Sequence, residues 1–292
     1  MSTLKSNALV CLPNGRLMDL TRPSVMGILN VTPDSFFEGS RYLAAPQQIV
    51  DAAGKMLEEG ASILDIGGYS TRPHAADVSI EEETERILNA IEPIAKQYPN
   101  AVISIDTFRS AVAEAAVKAG ASIINDIAGG NLDSLMFGTV AELAVPYILM
   151  HSRGNPSTMS RLNDYHDPTV DVLSELQIKV NSLRESGVKD IIIDPGFGFA
   201  KDPRQGFEML KNLPAFQILG LPMMVGVSRK SMIWKTLGIT ASAALNGTTA
   251  LNMVALMNGA NILRVHDVIE AMQTIRLYEE IYGSSAGSNV SD

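Results

Sequence analysis

One cysteine, Cys11, is all the thiol chemistry the chain carries. A single thiol can form neither an internal disulfide nor a cysteine-based metal cluster, and a reducing compartment is expected. Positive charge is scarce as well: 23 Lys and Arg face 32 Asp and Glu, a formal net charge of -9. That balance gives no electrostatic reason to bind nucleic acid or an anionic membrane, so any anionic ligand must be held by local cations. No apolar run approaches the ~20 residues of a membrane-spanning helix, and the opening MSTLKSNALVCLPNGRLMDL lacks the sustained apolar core of a secretion signal. A cytoplasmic location is expected. No nucleophilic triad can be read, and His74, His151, His166 and His266 lack the spacing of a zinc-binding helix motif.

What is present is a large apolar inventory. Hydrophobic residues make up 46% of the 292 and charged residues only 19%, which suits a globular enzyme and not a disordered chain. Eight short runs rich in Val and Ile recur along the sequence: SVMGILNVT, ASILDIGG, AVISIDTF, ASIINDIA, PYILMHS, KDIIIDPG, PMMVGVS and ANILRVHD. None alternates strictly, as expected of parallel strands buried on both faces. Helical patterns lie between them. Ile49, Ala52, Ala53, Met56 and Leu57 share one face with Gly60 placed to end the helix, Ser79 with Glu82 forms a capping-box pattern, and Val268, Ala271, Met272 and Ile275 share a face of the last helix.

Eight strand–helix units predict an α/β fold, a (β/α)8 TIM barrel, with a doubly wound open sheet as the alternative. Residues 1–23 read as an N-terminal β-hairpin turning at PNGR against the barrel floor, residues 24–283 as one barrel domain, and the small polar residues 284–292 as a disordered tail.

Barrel enzymes carry their chemistry at the C-terminal ends of the strands, so polar residues there gain weight. In order, the runs end in Asn30 with Asp34; Asp65 with Thr71 and Arg72; Asp106; Asn125 with Asp126; His151 with Arg153; Asp194; Ser228 with Arg229 and Lys230; and Arg264 with His266 and Asp267. An acid after a strand often only caps the next helix, which accounts for Asp65 or Asp267. It does not account for Arg264 and His266, which lie two apart on one strand face. A lone arginine such as Arg229 is usually a solvated surface residue. Arg72, Lys230, Arg264 and His266, counted as four rim cations from three segments, instead indicate a polyanionic ligand. Asp106, Asn125 and Asp194 form an acceptor-rich wall suited to a planar ligand presenting several N–H donors.

Seven motifs, MGILNVTPDSF, DIGGYSTRP, SIDTFRS, INDI, DPGFGFAK, GVSRKSMI and ANILRVHDV, occur in an order and spacing that resembles the dihydropteroate synthase family of pterin-binding enzymes, from Met26 to Val268. The resemblance implies condensation of (7,8-dihydropterin-6-yl)methyl diphosphate with p-aminobenzoate, by a dissociative route in which diphosphate leaves first. It implies that Asp194 and Asn125 grip the pyrimidine edge of the pterin, with Asp106 near the other ring and Lys230 at the carbonyl side. Asn30, Thr71, Arg72, Arg264 and His266 would then meet the diphosphate, and Thr71, Pro73, Phe199 and Ser228 the p-aminobenzoate. Asp106, Lys230, Arg72 and Thr71 are the implied catalytic residues. Mg2+ is the implied cofactor, at Asn30, with Asp34 a further candidate, and the family is generally a homodimer. Phe199 and Met150 each admit a packing role besides ligand contact, Met150 as a residue that either stacks on the pterin or fills the core. In this reading YSTRP is a mobile loop, with Gly67 and Gly68 as its permissive hinge.

Ser152, Asn155, Asp202 and Gly206 stand where the family usually has other residues, which bears on the outer part of the site alone. Three rival readings are kept: a methyltetrahydrofolate–corrinoid methyltransferase domain, which shares the pterin wall but has no diphosphate to hold; a Schiff-base aldolase using Lys230, disfavoured by the polar loop around it; and a barrel that binds pterin without turnover.

Overall fold

The computed structural model describes residues 8–32, 46–69, 78–155 and 158–283. The expectations for Asp34, Thr71, Arg72, Pro73 and the tail lie outside the described residues. The chain begins with an antiparallel pair, β1 (Leu9–Cys11) and β2 (Leu17–Asp19), joined through a 3-10 turn at Pro13–Gly15. Eight parallel strands follow: β3 (Ser24–Asn30), β4 (Ile63–Gly67), β5 (Val102–Asp106), β6 (Ile123–Asp126), β7 (Tyr147–Met150), β8 (Ile191–Asp194), β9 (Met224–Val225) and β10 (Ile262–Val265). Between and after them run α1 (Pro46–Glu58), α2 (Ile80–Gln97), α3 (Ser110–Lys118), α4 (Met136–Leu143), α5 (Pro168–Glu185), α6 (Pro203–Lys211), α7 (Ser231–Leu237), α8 (Leu245–Met257) and α9 (Val268–Tyr282).

Strand order is β8-β7-β6-β5-β4-β3-β10-β9. The two ends meet where Ile193 bridges Met223 and the Ile193 N–H donates to the Pro222 carbonyl at 2.9 Å. This closure excludes the open sheet. The seventh barrel strand is shorter than its apolar run, because Gly226 lies directly beneath Arg264 and Lys230, whose side chains cross it within 3.7–3.9 Å of where a Cβ would stand.

A two-residue period sorts each strand. Outward residues such as Leu64, Ile66, Ile103, Ile105, Leu149 and Ile193 pack beneath the helices in one large core. Inward residues form a separate layer with one member from each barrel strand: Met26, Ile63, Val102, Ile123, Ile148, Ile192, Met224 and Ile262. The hairpin covers that layer with Ala8, Val10, Leu12 and Leu20. It is fixed by polar ties as well, the Cys11 N–H to Asp190 Oδ1 at 3.0 Å and Asn261 Nδ2 to the Leu20 carbonyl at 2.9 Å. The barrel is thus sealed at its N-terminal end.

The apolar helix faces behave as read, while Ser79 caps α2 one way only, the Glu82 carboxylate pairing with Arg86 and not returning to the cap. In α1 Ile49 and Ala53 are buried and Ala52, Met56 and Leu57 pack against the core, while Gly60 takes φ +105° just beyond it. Ser79 Oγ accepts from the Glu82 N–H at 3.1 Å to cap α2. Two departures from the family pattern are structural: Asp202 and Gln205 form a reciprocal capping box on α6, and Gly206 lets α6 approach Met232 of α7. Among the described residues no helix is long and apolar enough to cross a membrane.

Leu20 is fully buried in the floor layer, which holds none of the rim residues. Leu20→Ala should lower unfolding free energy by ~2–5 kcal/mol, read from urea denaturation, with no change in ligand affinity. Unchanged stability would show that the hairpin is not part of the cooperative core.

Candidate active site

The same parity that seals the floor builds the mouth. Two or four residues after its floor residue, each strand turns another side chain inward, and those side chains are Asn30, Asp65, Asp106, Asn125, Met150, Asp194, Ser228, Arg264 and His266. Asp126, one residue out of phase, points to the helix side, where it accepts from Tyr147 OH at 2.6 Å and from the Ala128 and Gly130 N–H groups. It is no part of the mouth.

Arg264 is the centre of the cluster. Its Nε lies 2.6 Å from Asp65 Oδ2 and its Nη2 2.6 Å from Asp106 Oδ2. Asn125 Nδ2 donates to the same Asp65 oxygen at 3.0 Å. Asp65 is therefore not a helix cap: it is 1% exposed, in mid-strand, and holds an arginine and an amide. Burial works against the Arg264 charge, but Asp65 and Asp106 together hold its pKa above the ordinary arginine value. Burial also raises Asp106, to about 7, with Arg264 opposing the shift and Asp65 adding to it.

On the other side of the mouth stand Asp194, Lys230 and Phe199. Asp194 is buried, accepts from the Gly196 N–H at 2.8 Å, and has its pKa raised by burial against the pull of Lys230. Lys230 donates to the Phe197 carbonyl and lies 4.7 Å from the Phe199 ring centroid. It is less open than its polar loop suggested: burial lowers its pKa to about 8, with Asp194 opposing. Phe197 is in the core and Phe199 half-buried at the mouth, so the two aromatics of one motif face different ways. Met150 is 2% exposed at the end of β7.

Ser228 and His266 form a pair, Oγ to Nδ1 2.9 Å, and the His266 N–H also reaches Ser228 Oγ. Desolvation against the rim, then the Arg264 charge, lower its pKa, so it is neutral near pH 7, with Nδ1 accepting from the serine hydroxyl. That corrects its count as a rim cation. Arg229 is not a free surface residue either: it is bound to Asp267 through Nε at 2.9 Å and Nη2 at 2.6 Å. Asp267 is thereby an ion-pair partner and makes no side-chain cap on α9. Gly67 and Gly68 have no positive φ in this structure. A Cβ on Gly68 would sit 2.9 Å from Ile87 Cγ2, too close to be accommodated without a shift, whereas one on Gly67 would meet Asn30 and Asp106 at ordinary contact distance.

The structure thus brings together Asn30, Asp106, Asn125, Met150, Asp194, Phe199, Ser228, Lys230, Arg264 and His266, and it adds Asp65. It also places a buried Lys201 beside His151 behind the Phe199 loop. The signal for Lys201 was its position at the end of DPGFGFAK. Two acceptors of the wall, Asp65 Oδ1 and Asn125 Oδ1, are buried and make no hydrogen bond among the described residues, as does the Ser104 hydroxyl two residues before Asp106. A surface with unpaired buried acceptors is complementary to a ligand rich in N–H donors. Among the described residues no group of three His, Cys, Asp or Glu could hold a metal ion.

A closed barrel with an acceptor wall, two cations and an aromatic face at its C-terminal mouth defines a barrel enzyme for a nitrogen-rich, anionic substrate. The family model described as pterin binding enzyme matches residues 26–266. Dihydropteroate synthase of Escherichia coli is 40% identical over 274 residues, covering 91% of this chain and 94% of that one. The Xanthomonas albilineans dihydropteroate synthase solved with 4-aminobenzoic acid superposes with a TM-score of 0.86 at 36% identity, over 94% of this chain and 98% of that one. The same organism's enzyme in complex with 7,8-dihydropteroate gives 0.83 at 33% identity, over 94% and 99%. The chain belongs to the pterin-binding enzyme family, and within it to the dihydropteroate synthases.

Burial lowers the Lys230 pKa to about 8, so the lysine loses its charge at a lower pH than an exposed one. Affinity for a pterin whose carbonyl it meets should fall as pH rises through that value, and Lys230→Arg should remove the alkaline limb from a plot of pterin affinity against pH. A limb left in place by that variant would assign the titration to another group.

Proposed function

We propose that the chain condenses (7,8-dihydropterin-6-yl)methyl diphosphate with p-aminobenzoate, forming 7,8-dihydropteroate and pyrophosphate. The observation that carries this reading is the wall of Asp65, Asp106, Asn125 and Asp194 with buried acceptor oxygens left unpaired. A pterin presents ring N–H and amino donors along one edge and a carbonyl beside them. Asp194 and Asn125 would take the donors and Lys230 the carbonyl. Dissociation breaks the bond between the methylene carbon and the diphosphate oxygen, which keeps the electron pair. The amine nitrogen then bonds to that carbon and loses a proton. Charge separates before the new bond forms, so the site must stabilise a cation on the pterin and an anion at the rim.

Asp106 stands where it can offset the cation. As diphosphate forms its contacts, Arg264 can offer Nη1, which makes no hydrogen bond to any described residue, while Nε and Nη2 stay on the carboxylates. His266 and Ser228, already paired, offer neutral hydrogen bonds on the same side, and Arg72 with Thr71 would join from their loop. Thr71, Pro73, Phe199 and Ser228 would hold the p-aminobenzoate ring. The residues fit magnesium in a limited way: Asn30 supplies one neutral oxygen, which suits an ion that keeps its waters and enters with the diphosphate. Such an ion would neutralise leaving-group charge. Exposed Met257, Leu277, Ile281 and Tyr282 on α8 and α9 offer an apolar face for the homodimer this reading carries.

Incubation with both substrates and magnesium should give dihydropteroate and pyrophosphate in equal amounts. Tight pterin binding with no pyrophosphate release would overturn the reading in favour of a silent binder or a methyltransferase. Asp194→Ala should weaken pterin binding by ~2–5 kcal/mol in calorimetry, since ring donors would be buried unpaired; near-normal affinity would sink the wall assignment.

A further inference from the structure

A second polar cluster, running from buried Lys201 and His151 to partly exposed Glu175 and Arg153, lies behind the mouth and takes no part in the mechanism above. Lys201 is 8% exposed, at the end of the loop between β8 and α6. Its Nζ sits 2.9 Å from His151 Nδ1, 3.0 Å from the Phe199 carbonyl, 3.1 Å from the Gly196 carbonyl and 3.4 Å from the His151 carbonyl. His151 is 1% exposed and its Nε2 lies 2.9 Å from Glu175 Oε2 on α5. Arg153 grips the same carboxylate and stacks its guanidinium 3.9 Å from the Tyr165 ring centroid. The donor pattern runs one way: Lys201 donates to His151 Nδ1, and the His151 Nε2–H donates to Glu175.

The loop that Lys201 gathers is also held by buried Phe197, by the Phe199 N–H on the Gly196 carbonyl and by Lys230 on the Phe197 carbonyl, but among the described residues Lys201 alone binds it to the end of β7 through the His151 ring and carbonyl. Gly196, Gly198 and Ala200 take φ +73°, +77° and +49°, a sequence of left-handed residues that no strand or helix ladder supports. For alanine that conformation costs roughly 1–2 kcal/mol, so the contacts around it must hold it there. Two members of the loop face the ligand site. Gly196 fixes Asp194 through its N–H, and Phe199 forms the aromatic surface under Lys230. An apolar side chain could fill the space of Lys201 without burying a charge, but could not bind two carbonyls of one loop and one of β7's end at once.

We propose that Lys201 is a positioning residue for both substrates: tied to the end of β7 through His151, its ammonium sets the loop that orients Asp194 and presents Phe199. The inference rests on the functional reading above. Lys201 itself touches neither substrate in it, yet one substitution there should disturb both sites.

The test compares Lys201→Met with wild type and with Leu20→Ala, a variant destabilised at the opposite end of the barrel. Lys201→Met should raise the KM for p-aminobenzoate about tenfold and weaken binding of 6-hydroxymethylpterin about threefold, the scale of a sub-ångström displacement. Leu20→Ala should lose thermal stability with both constants unchanged. In Lys201→Ala, added ethylammonium should restore part of the p-aminobenzoate affinity. A folded Lys201→Met with both constants at wild-type values would overturn the proposal. If Lys201→Met does not fold, Glu175→Gln, which weakens the hold on His151 from the outer end, should show the same paired loss at smaller size, and no loss there would equally overturn it. Failure of wild type to turn over would fall on the functional reading, while the pterin-binding arm would still decide the role of Lys201.

Discussion

Arg264 held between Asp65 and Asp106 is the interaction on which the mouth of this barrel depends. An ammonium or guanidinium taken from water without partners costs several kcal/mol even after relaxation, and so does a carboxylate. Here each compensates the other: two acids placed on adjacent strands, β4 and β5, face one arginine on β10 across the barrel axis. Among the described residues Asp65 Oδ1 and Asn125 Oδ1 remain buried and unpaired beside the triad. Those oxygens are poor places for nothing and good places for N–H donors. The site is thus organised before substrate arrives, and its residual polarity selects what can enter.

The division of labour along the barrel follows from a period of two. Inward positions near the start of each strand are apolar and sealed by the hairpin; inward positions near the end are polar and open to ligand. Outward positions are mostly apolar and pack against the helices, with Asp126 at the end of β6 a buried polar exception. A strand can therefore serve stability and chemistry at once, with the same parity and only a step along its length between them. The parity ends with the strand: beyond β8 the left-handed residues Gly196, Gly198 and Ala200 break it, and Phe197 and Phe199, two apart, are buried in the core and half-buried at the mouth respectively.

The strands, their parallel order and the position of the mouth were legible in the sequence, because eight apolar runs each ended in a polar residue. Less legible was which polar residue faces inward, since runs that are apolar on both faces carry no alternation to read. Asp65 looked like a cap for that reason, and Asp126 looked like part of the rim. His266 was counted as a cation because its charge depends on Arg264 and the rim around it, which only the fold assembles. Gly68 carries a packing reason that the sequence does not show, since a Cβ there would sit 2.9 Å from Ile87 Cγ2. Lys201 and Glu175 lie far apart in sequence and meet only through His151, so no local pattern could have joined them.

The most direct measurement is a double-mutant cycle on Arg264→Gln and Asp65→Asn, read as the rate of dihydropteroate formation. If Asp65 exists to hold Arg264, the first substitution alone should be severe and the second should add little to it, giving a coupling energy of at least ~1.5 kcal/mol. Independent, additive losses would contradict the view that the Asp65–Arg264–Asp106 triad organises the site.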